Sequence, residues 1–93
     1  MTKYTYHIDA AHGWLEVPYR DLLNAGLHLS QVSKFSYAQV TDQYVPTLYL
    51  EEDCDMPLFL NALQAKGESF ELVEQHYDGD AMFIRNLGRV GRS

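Results

Sequence analysis

Four carboxylates within five residues form the part of this sequence that is best suited to chemistry. They lie in the segment Glu51-Glu52-Asp53-Cys54-Asp55. Such a group either holds a hard cation or presents negative charge to a basic partner. The simpler alternative is a strand-to-helix turn whose acids complement the positive end of a helix dipole. An EF-hand is excluded, because the segment lacks the alternating acids, central glycine and distant glutamate of that loop.

The cysteine and the histidines show no pattern typical of a nucleophilic or metal site. A reactive thiol needs an electropositive surrounding, whereas Cys54 stands between two aspartates, so we expect a buried or half-buried side chain. Phosphate-binding loops, nucleophile elbows and zinc-peptidase motifs are absent, which favours a protein without enzymatic activity. No cofactor or metal site is predicted, because zinc-ligand spacing is missing among His7, His12, His28 and His76.

The charge of the chain is unevenly distributed. Residues 42–80 contain ten acids and a single base, Lys66. The last nine residues reverse the sign, since Arg85, Arg89 and Arg92 are accompanied by no acid. Affinity for nucleic acid comes largely from Lys and Arg contacts to phosphates, so direct nucleic-acid binding is not expected. A basic protein surface is the predicted partner.

Length and composition indicate one folded domain. The chain has 93 residues, of which 46% are hydrophobic and 13% aromatic, too many for a disordered chain. No segment approaches the ~20 apolar residues that a membrane span requires, so no membrane association is predicted. The polar N-terminus and the single cysteine favour a cytoplasmic setting.

Hydrophobic periodicity and turn residues predict an α+β fold. Pro18 suits the first turn of a helix, Asp55 suits the cap of a second one, and Gly26 and Gly67 suit the helix ends. The predicted strands are 14–17, 35–40, 47–51, 69–77 and an edge strand at 81–84, and the predicted helices are 18–25 and 55–66. The order β-α-β-β-α-β is typical of a split β-α-β, ferredoxin-like antiparallel sheet with two helices on one face.

The two termini are assigned separately from the core at residues 11–84. Residues 1–10 are predicted to form either an N-terminal arm or an additional edge strand. Residues 85–93, with two glycines and three arginines, are predicted to be a flexible basic tail.

Three segments resemble a group of small uncharacterised proteins carried on phages, plasmids and other mobile elements. The resemblance covers residues 11–75 and brings no catalytic residues with it. It implies that the chain inhibits a host-defence complex of the restriction or CRISPR type by offering carboxylates where nucleic acid binds. The segments are His12-Gly13-Trp14-Leu15-Glu16-Val17-Pro18, Tyr49-Leu50-Glu51-Glu52-Asp53-Cys54-Asp55 and Leu58-Phe59-Leu60.

We therefore predict a non-enzymatic protein-binding domain that docks an acidic face onto a basic nucleic-acid-binding groove of a host complex. Charges at the rim of such an interface mainly speed association, while aromatic side chains hold the complex together. The predicted contact residues are Glu51, Glu52, Asp53, Asp55, Glu71, Glu74, Asp78, Asp80, Tyr44, Tyr49 and Tyr77.

Two alternatives belong to other functional classes. One is a small-molecule or metal-binding domain, enzymatic or not, built around His12, His76 and the carboxylates. The other is a homodimer that pairs sheets or edge strands, because a small acidic domain often needs more buried surface than one copy supplies.

Overall fold

The computed structural model describes residues 2–33, 35–39, 46–78, 84 and 87–89. These residues form an α+β fold with one six-stranded sheet and two α-helices. The elements are β1 (Thr2–Ile8), β2 (Gly13–Pro18), α1 (Tyr19–Asn24), β3 (Tyr37–Gln39), β4 (Thr47–Glu51), α2 (Asp55–Ala65), β5 (Phe70–His76) and β6 (Gly88–Arg89).

The sheet is mixed, with the strand order β5-β1-β2-β4-β3-β6. Strand β1 pairs in parallel with β5, whereas the other neighbouring strands pair in antiparallel. The predicted antiparallel, ferredoxin-like sheet is therefore not confirmed. The difference arises because the N-terminal strand lies between β2 and β5.

The prediction of an N-terminal arm or edge strand is wrong for residues 2–8. Both edges of β1 carry partners, since Tyr6 lies opposite Leu15 of β2 and opposite Glu74 of β5. The strand is also covered on both faces, with Tyr4 5% exposed on one and His7 6% exposed on the other. Pairing with a segment near the other end of the chain creates this position, and local sequence patterns do not report such pairing.

The main core lies between the sheet and both helices. Leu15 and Leu50 are opposite each other on β2 and β4, and they share one hydrophobic cluster with Leu22 of α1 and Phe59 of α2. The ring of Phe59 meets the ring of Tyr4 edge to face, with centroids 5.3 Å apart. Complete burial of such a side chain contributes about 1.5–3 kcal/mol, so these contacts fix both helices on this face.

Glycines end both helices, as the sequence predicts. Gly26 follows α1 with φ of 87°, and Gly67 follows α2 with φ of 74°. An L side chain at such an angle meets its own backbone, whereas glycine does not. Neither described helix is long and apolar enough to cross a membrane.

A second hydrophobic cluster covers the opposite face of the sheet. It contains Trp14, Tyr37, Tyr49 and Ile84, and Leu87 packs against it. Of the predicted edge strand at 81–84, the structure describes one residue, Ile84. Its side chain is fully buried.

The predicted flexible tail is wrong in part. The backbone of Gly88 and Arg89 forms β6 and pairs with β3, so these two residues extend the sheet. The rest of residues 85–93, apart from Leu87, lies outside the described residues.

Candidate functional site

One end of the sheet contains most of the acidic side chains that the structure describes. Strands β1, β4 and β5 finish at this end and β2 begins there, as their pairing directions require. We call it the acidic end and define it by Asp9, Glu51, Glu52, Asp53, Asp55, Glu74 and Asp78.

The lysine and arginine side chains that the structure describes lie at the other end. Lys3 is near the start of β1, and Arg20 follows the end of β2 in the first turn of α1. The ammonium of Lys66 donates a hydrogen bond to the backbone carbonyl of Asn24, at the end of α1. Among the described side chains, the acidic end thus contains no lysine or arginine, whereas at the other end Asp21, Glu68 and Glu71 accompany the three bases.

Tyr6 is the centre of the exposed part of the acidic end. Its hydroxyl donates a 2.7 Å hydrogen bond to Oε2 of Glu52. Burial, this hydrogen bond and the charges of Glu52, Asp53 and Glu74 all raise the pKa of Tyr6. Glu74 comes from a different strand but lies opposite Tyr6 in the pairing of β1 with β5, so it lies beside the same ring.

Glu51 is buried and organises the turn before α2. Its side chain is 8% exposed, and its Oε2 accepts 2.9 Å hydrogen bonds from the backbone N–H groups of Asp53 and Cys54. This is the strand-to-helix turn that the sequence offered as the simpler alternative. Glu51, one of the predicted partner contacts, is therefore buried with its carboxylate facing its own chain.

Asp55 is buried as well, with 3% of its surface exposed. Its carboxylate accepts hydrogen bonds from the backbone N–H of Ser33 at 3.0 Å, from the Ser33 hydroxyl at 2.7 Å and from the Ser36 hydroxyl. Cys54, not Asp55, precedes the first residue of α2. Asp55 therefore joins α2 to the segment before β3, and the prediction of a helix cap is wrong. The carboxylate that the sequence assigns to a partner contact is buried against these serines.

Cys54 is exposed, which contradicts the expected buried or half-buried position. Desolvation at the turn, followed by the charge and hydrogen bond of Glu51, raises the pKa of the Cys54 thiol. Asp55 and Asp53 add to the shift, as the sequence suggests. A thiol that stays protonated is a poor nucleophile, so this cysteine does not indicate covalent chemistry.

The predicted acids at the two ends of β5 lie apart. Glu71 is exposed opposite Lys3, at the end of the sheet away from the acidic end. Glu74 and Asp78 are exposed and belong to the acidic end. Asp80 and Tyr44 lie outside the described residues.

The two described tyrosines of the predicted surface belong to the second hydrophobic cluster. Tyr49 is 3% exposed, and its hydroxyl donates a 3.0 Å hydrogen bond to Oε1 of Gln39. Tyr77 packs against the same cluster and is partly buried. Tyr49, one of the predicted partner contacts, is therefore part of the core on this face of the sheet.

No protein-family model, curated protein or solved structure matches this chain.

His7 is at the centre of a buried hydrogen-bonded network that the sequence did not predict. Nε2 of His7 lies 2.7 Å from Oε1 of Glu16, and Nδ1 lies 2.7 Å from the hydroxyl of Tyr77. A neutral imidazole satisfies both contacts when Nε2–H donates to Glu16 and Nδ1 accepts from Tyr77. The alternation along β1 could have indicated this position of His7. Successive side chains of a strand point to opposite faces, so His7 lies on the face opposite Tyr4 and Tyr6.

The hairpin loop between β1 and β2 positions His12 near the carboxylates. Asp9 holds this loop, because its Oδ1 accepts hydrogen bonds from the backbone N–H of Ala11 at 2.8 Å and of His12 at 2.7 Å. The side chains of His12, Glu51 and Glu52 each place one donor atom within 4.8 Å of the others. Residues far apart in sequence therefore meet here, and ligand spacing along the chain does not report them.

Buried tyrosines predict an unusual alkaline titration. Burial, with Glu16 and Tyr77 nearby, raises the pKa of Tyr49 to about 12, and burial also raises the pKa values of Tyr4, Tyr6 and Tyr77. The unfolded chain ionises its tyrosines near pH ~10. Their contribution to stability is therefore complete below that pH and is lost as the pH rises toward the folded-state values.

Absorbance at 295 nm should accordingly show that only part of the seven tyrosines ionises before the fold is lost. Urea unfolding above pH ~10 should give a falling free energy of unfolding, with a shallower fall in Tyr49→Phe. Ionisation of all tyrosines in one step near pH ~10, with unchanged circular dichroism, would contradict the expected burial.

Proposed function

We propose that this chain is a non-enzymatic protein-binding domain that docks its acidic end onto a basic, nucleic-acid-binding groove of a partner. The observation that carries the proposal is that, among the described side chains, the acidic end contains carboxylates and no lysine or arginine. Seven carboxylates lie at the acidic end, and Lys3, Arg20 and Lys66 lie away from it. A groove that binds phosphates attracts such an end, because complementary potentials steer two proteins toward one orientation.

The proposed contact surface consists of the acids that are accessible to a partner. Asp53, Glu74 and Asp78 are exposed, and Glu52 is partly exposed. Among the described residues, none of these four carboxylates forms an ion pair with a lysine or arginine. Their charge is thus available to a partner, whereas the buried acids beneath them stabilise the turn that presents them.

Because the sequence resembles proteins of mobile elements, a host-defence complex is the first class of partner to test. A host-defence complex that holds guide or target nucleic acid carries a basic groove, and a compact acidic end that occupies the groove competes with the nucleic acid. Because rim charges act mainly on the association rate, capture of the partner should be strongly dependent on salt.

Charge reversal at Asp53 tests the proposal, with Glu68 as a matched control. Both side chains are exposed, and they lie in the loops at the two ends of α2. Asp53→Lys and Glu68→Lys change the net charge equally, but only the first lies at the acidic end. Each variant and the wild type serve as bait for a lysate of bacteria that carry mobile elements, followed by a salt gradient and mass spectrometry.

We expect a partner that leaves wild type and Glu68→Lys at the same salt concentration and leaves Asp53→Lys much earlier. Added single-stranded DNA or RNA should displace the partner from wild type. Equal elution of the partner from both variants, or no displacement by nucleic acid, would show that the acidic end is not the docking surface.

A further inference from the structure

We propose that His12, Glu51 and Glu52 form a binding site for a divalent transition-metal ion. One donor atom from each residue lies within 4.8 Å of the other two. Ligands at tetrahedral angles around one ion, each bound at about 2.0–2.2 Å, are about 3.3–3.6 Å apart. The donors therefore close around an ion after a movement of up to about 1 Å, and His12 is exposed on a loop and able to move that far.

The backbone of the site is held from several sides. The N–H of Glu52 donates a 3.1 Å hydrogen bond to the carbonyl of Gly13, which joins the two ligand-bearing segments. The N–H of Asp9 donates a 2.9 Å hydrogen bond to the carbonyl of His12, which closes the hairpin loop. A fixed backbone lowers the cost of assembling ligands around an ion.

Groups outside the ligand set orient both carboxylates. Tyr6 donates to Oε2 of Glu52, and the backbone N–H groups of Asp53 and Cys54 donate to Oε2 of Glu51. Ligating carboxylates in metalloproteins are commonly hydrogen-bonded in this way. The imidazole of His12 forms no hydrogen bond with the described residues and packs near Trp14, with ring centroids 5.8 Å apart.

The donor set selects the kind of ion. One imidazole nitrogen and two carboxylate oxygens suit Zn²⁺ and related transition metals, whereas Ca²⁺ and Mg²⁺ prefer oxygen ligands alone. Two carboxylates balance the charge of a dication, and Asp53 and Asp9 strengthen the attraction from close by. Three protein ligands leave coordination positions for water or for a partner's side chain.

Calorimetric titration with Zn²⁺, and a visible spectrum with Co²⁺, test the site on the intact chain. Wild type should bind one equivalent of Zn²⁺. His12→Gln should weaken binding by more than about tenfold, since even the loss of an outer hydrogen bond to a ligand costs about 10–100-fold. Tyr6→Phe, which removes such an outer bond to Glu52, should weaken binding by about tenfold.

Two control variants separate this site from adventitious binding. His76→Gln removes another exposed histidine at the same end of the sheet, and Cys54→Ser removes the exposed thiol. Both should bind Zn²⁺ as wild type does. Binding that survives His12→Gln, or that is lost in Cys54→Ser or His76→Gln, overturns the proposal, as does the absence of stoichiometric binding to wild type.

The titration contains no partner protein, so its outcome is independent of the proposed docking function. Circular dichroism of His12→Gln should match wild type, because the His12 side chain is exposed and packs beside the ring of Trp14 at the surface of the fold. A folded variant that has lost Zn²⁺ binding therefore supports the metal site itself.

Discussion

Asp55→Ala should lower the free energy of unfolding by about 3–5 kcal/mol. The carboxylate accepts hydrogen bonds from the backbone N–H and hydroxyl of Ser33 and from the hydroxyl of Ser36. Hydrogen bonds to a charged group contribute about 1.5–3 kcal/mol each, and buried donors left without an acceptor add a desolvation cost. Small domains are stable by only about 5–15 kcal/mol, so this one substitution removes a large share of the total.

Urea unfolding followed by circular dichroism measures this effect. Asp53→Ala is the matched control, since it removes an exposed carboxylate two residues earlier and should change the free energy by less than about 0.5 kcal/mol. Asp55→Asn should lie between the two, because the amide retains one oxygen acceptor. Equal stability of Asp55→Ala and Asp53→Ala would refute the structural role assigned to Asp55.

Gly13→Ala should lower the free energy of unfolding by about 1–3 kcal/mol, the usual cost of forcing extra volume into a packed site. A Cβ at this position would lie 2.6 Å from Oη, 2.7 Å from Cε1 and 2.8 Å from Cζ of Tyr6. The ring must therefore move, and its hydrogen bond to Glu52 breaks or lengthens. The substitution should also weaken Zn²⁺ binding, since Glu52 loses the group that orients it.

A double-mutant cycle isolates the contact between Gly13 and the ring. In a Tyr6→Ala background the added methyl group meets no ring, so Gly13→Ala should cost less than about 0.5 kcal/mol there. An unchanged cost in that background would place the strain in the backbone of β2 and contradict the predicted clash.

The helix ends and most strands of this fold could be predicted from the sequence. Both helices end where Gly26 and Gly67 allow a left-handed backbone, and α2 begins at Asp55, one residue before the start that a cap at Asp55 predicts. Strands β2, β4 and β5 lie within or close to their predicted ranges. Turn residues and hydrophobic alternation act over a few positions, which is why a single sequence reports them.

The position of β1 in the sheet could not be predicted from the sequence in the same way. Its alternation of Tyr4, Tyr6 and His7 is that of a strand, but nothing local indicates which strand it joins. Parallel pairing joins β1 to β5, which is far away in the sequence, and this pairing places β1 in the interior of the sheet. By sequence, residues 1–10 therefore suit either an arm or an edge strand, whereas β1 is an interior strand of the sheet.

The acidic segment shows how tertiary contacts divide one motif into different roles. By sequence, Glu51, Asp53 and Asp55 are equivalent carboxylates on one turn. In the folded chain, Glu51 binds the backbone of its own turn, Asp55 binds two serines before β3, and Asp53 is exposed. Burial is decided by which segment covers a side chain, and that segment is distant in sequence in the case of Asp55.

The sequence by itself determined the acidic balance of this protein, the α+β class and the ends of its helices, because composition and short-range patterns are properties of neighbouring residues. The tertiary structure alone decided that the acids collect at one end of the sheet, that Tyr49 is buried and that His12 meets Glu51 and Glu52. These outcomes depend on strand order and on the pairing of Trp14 with Glu51, which bring distant residues together.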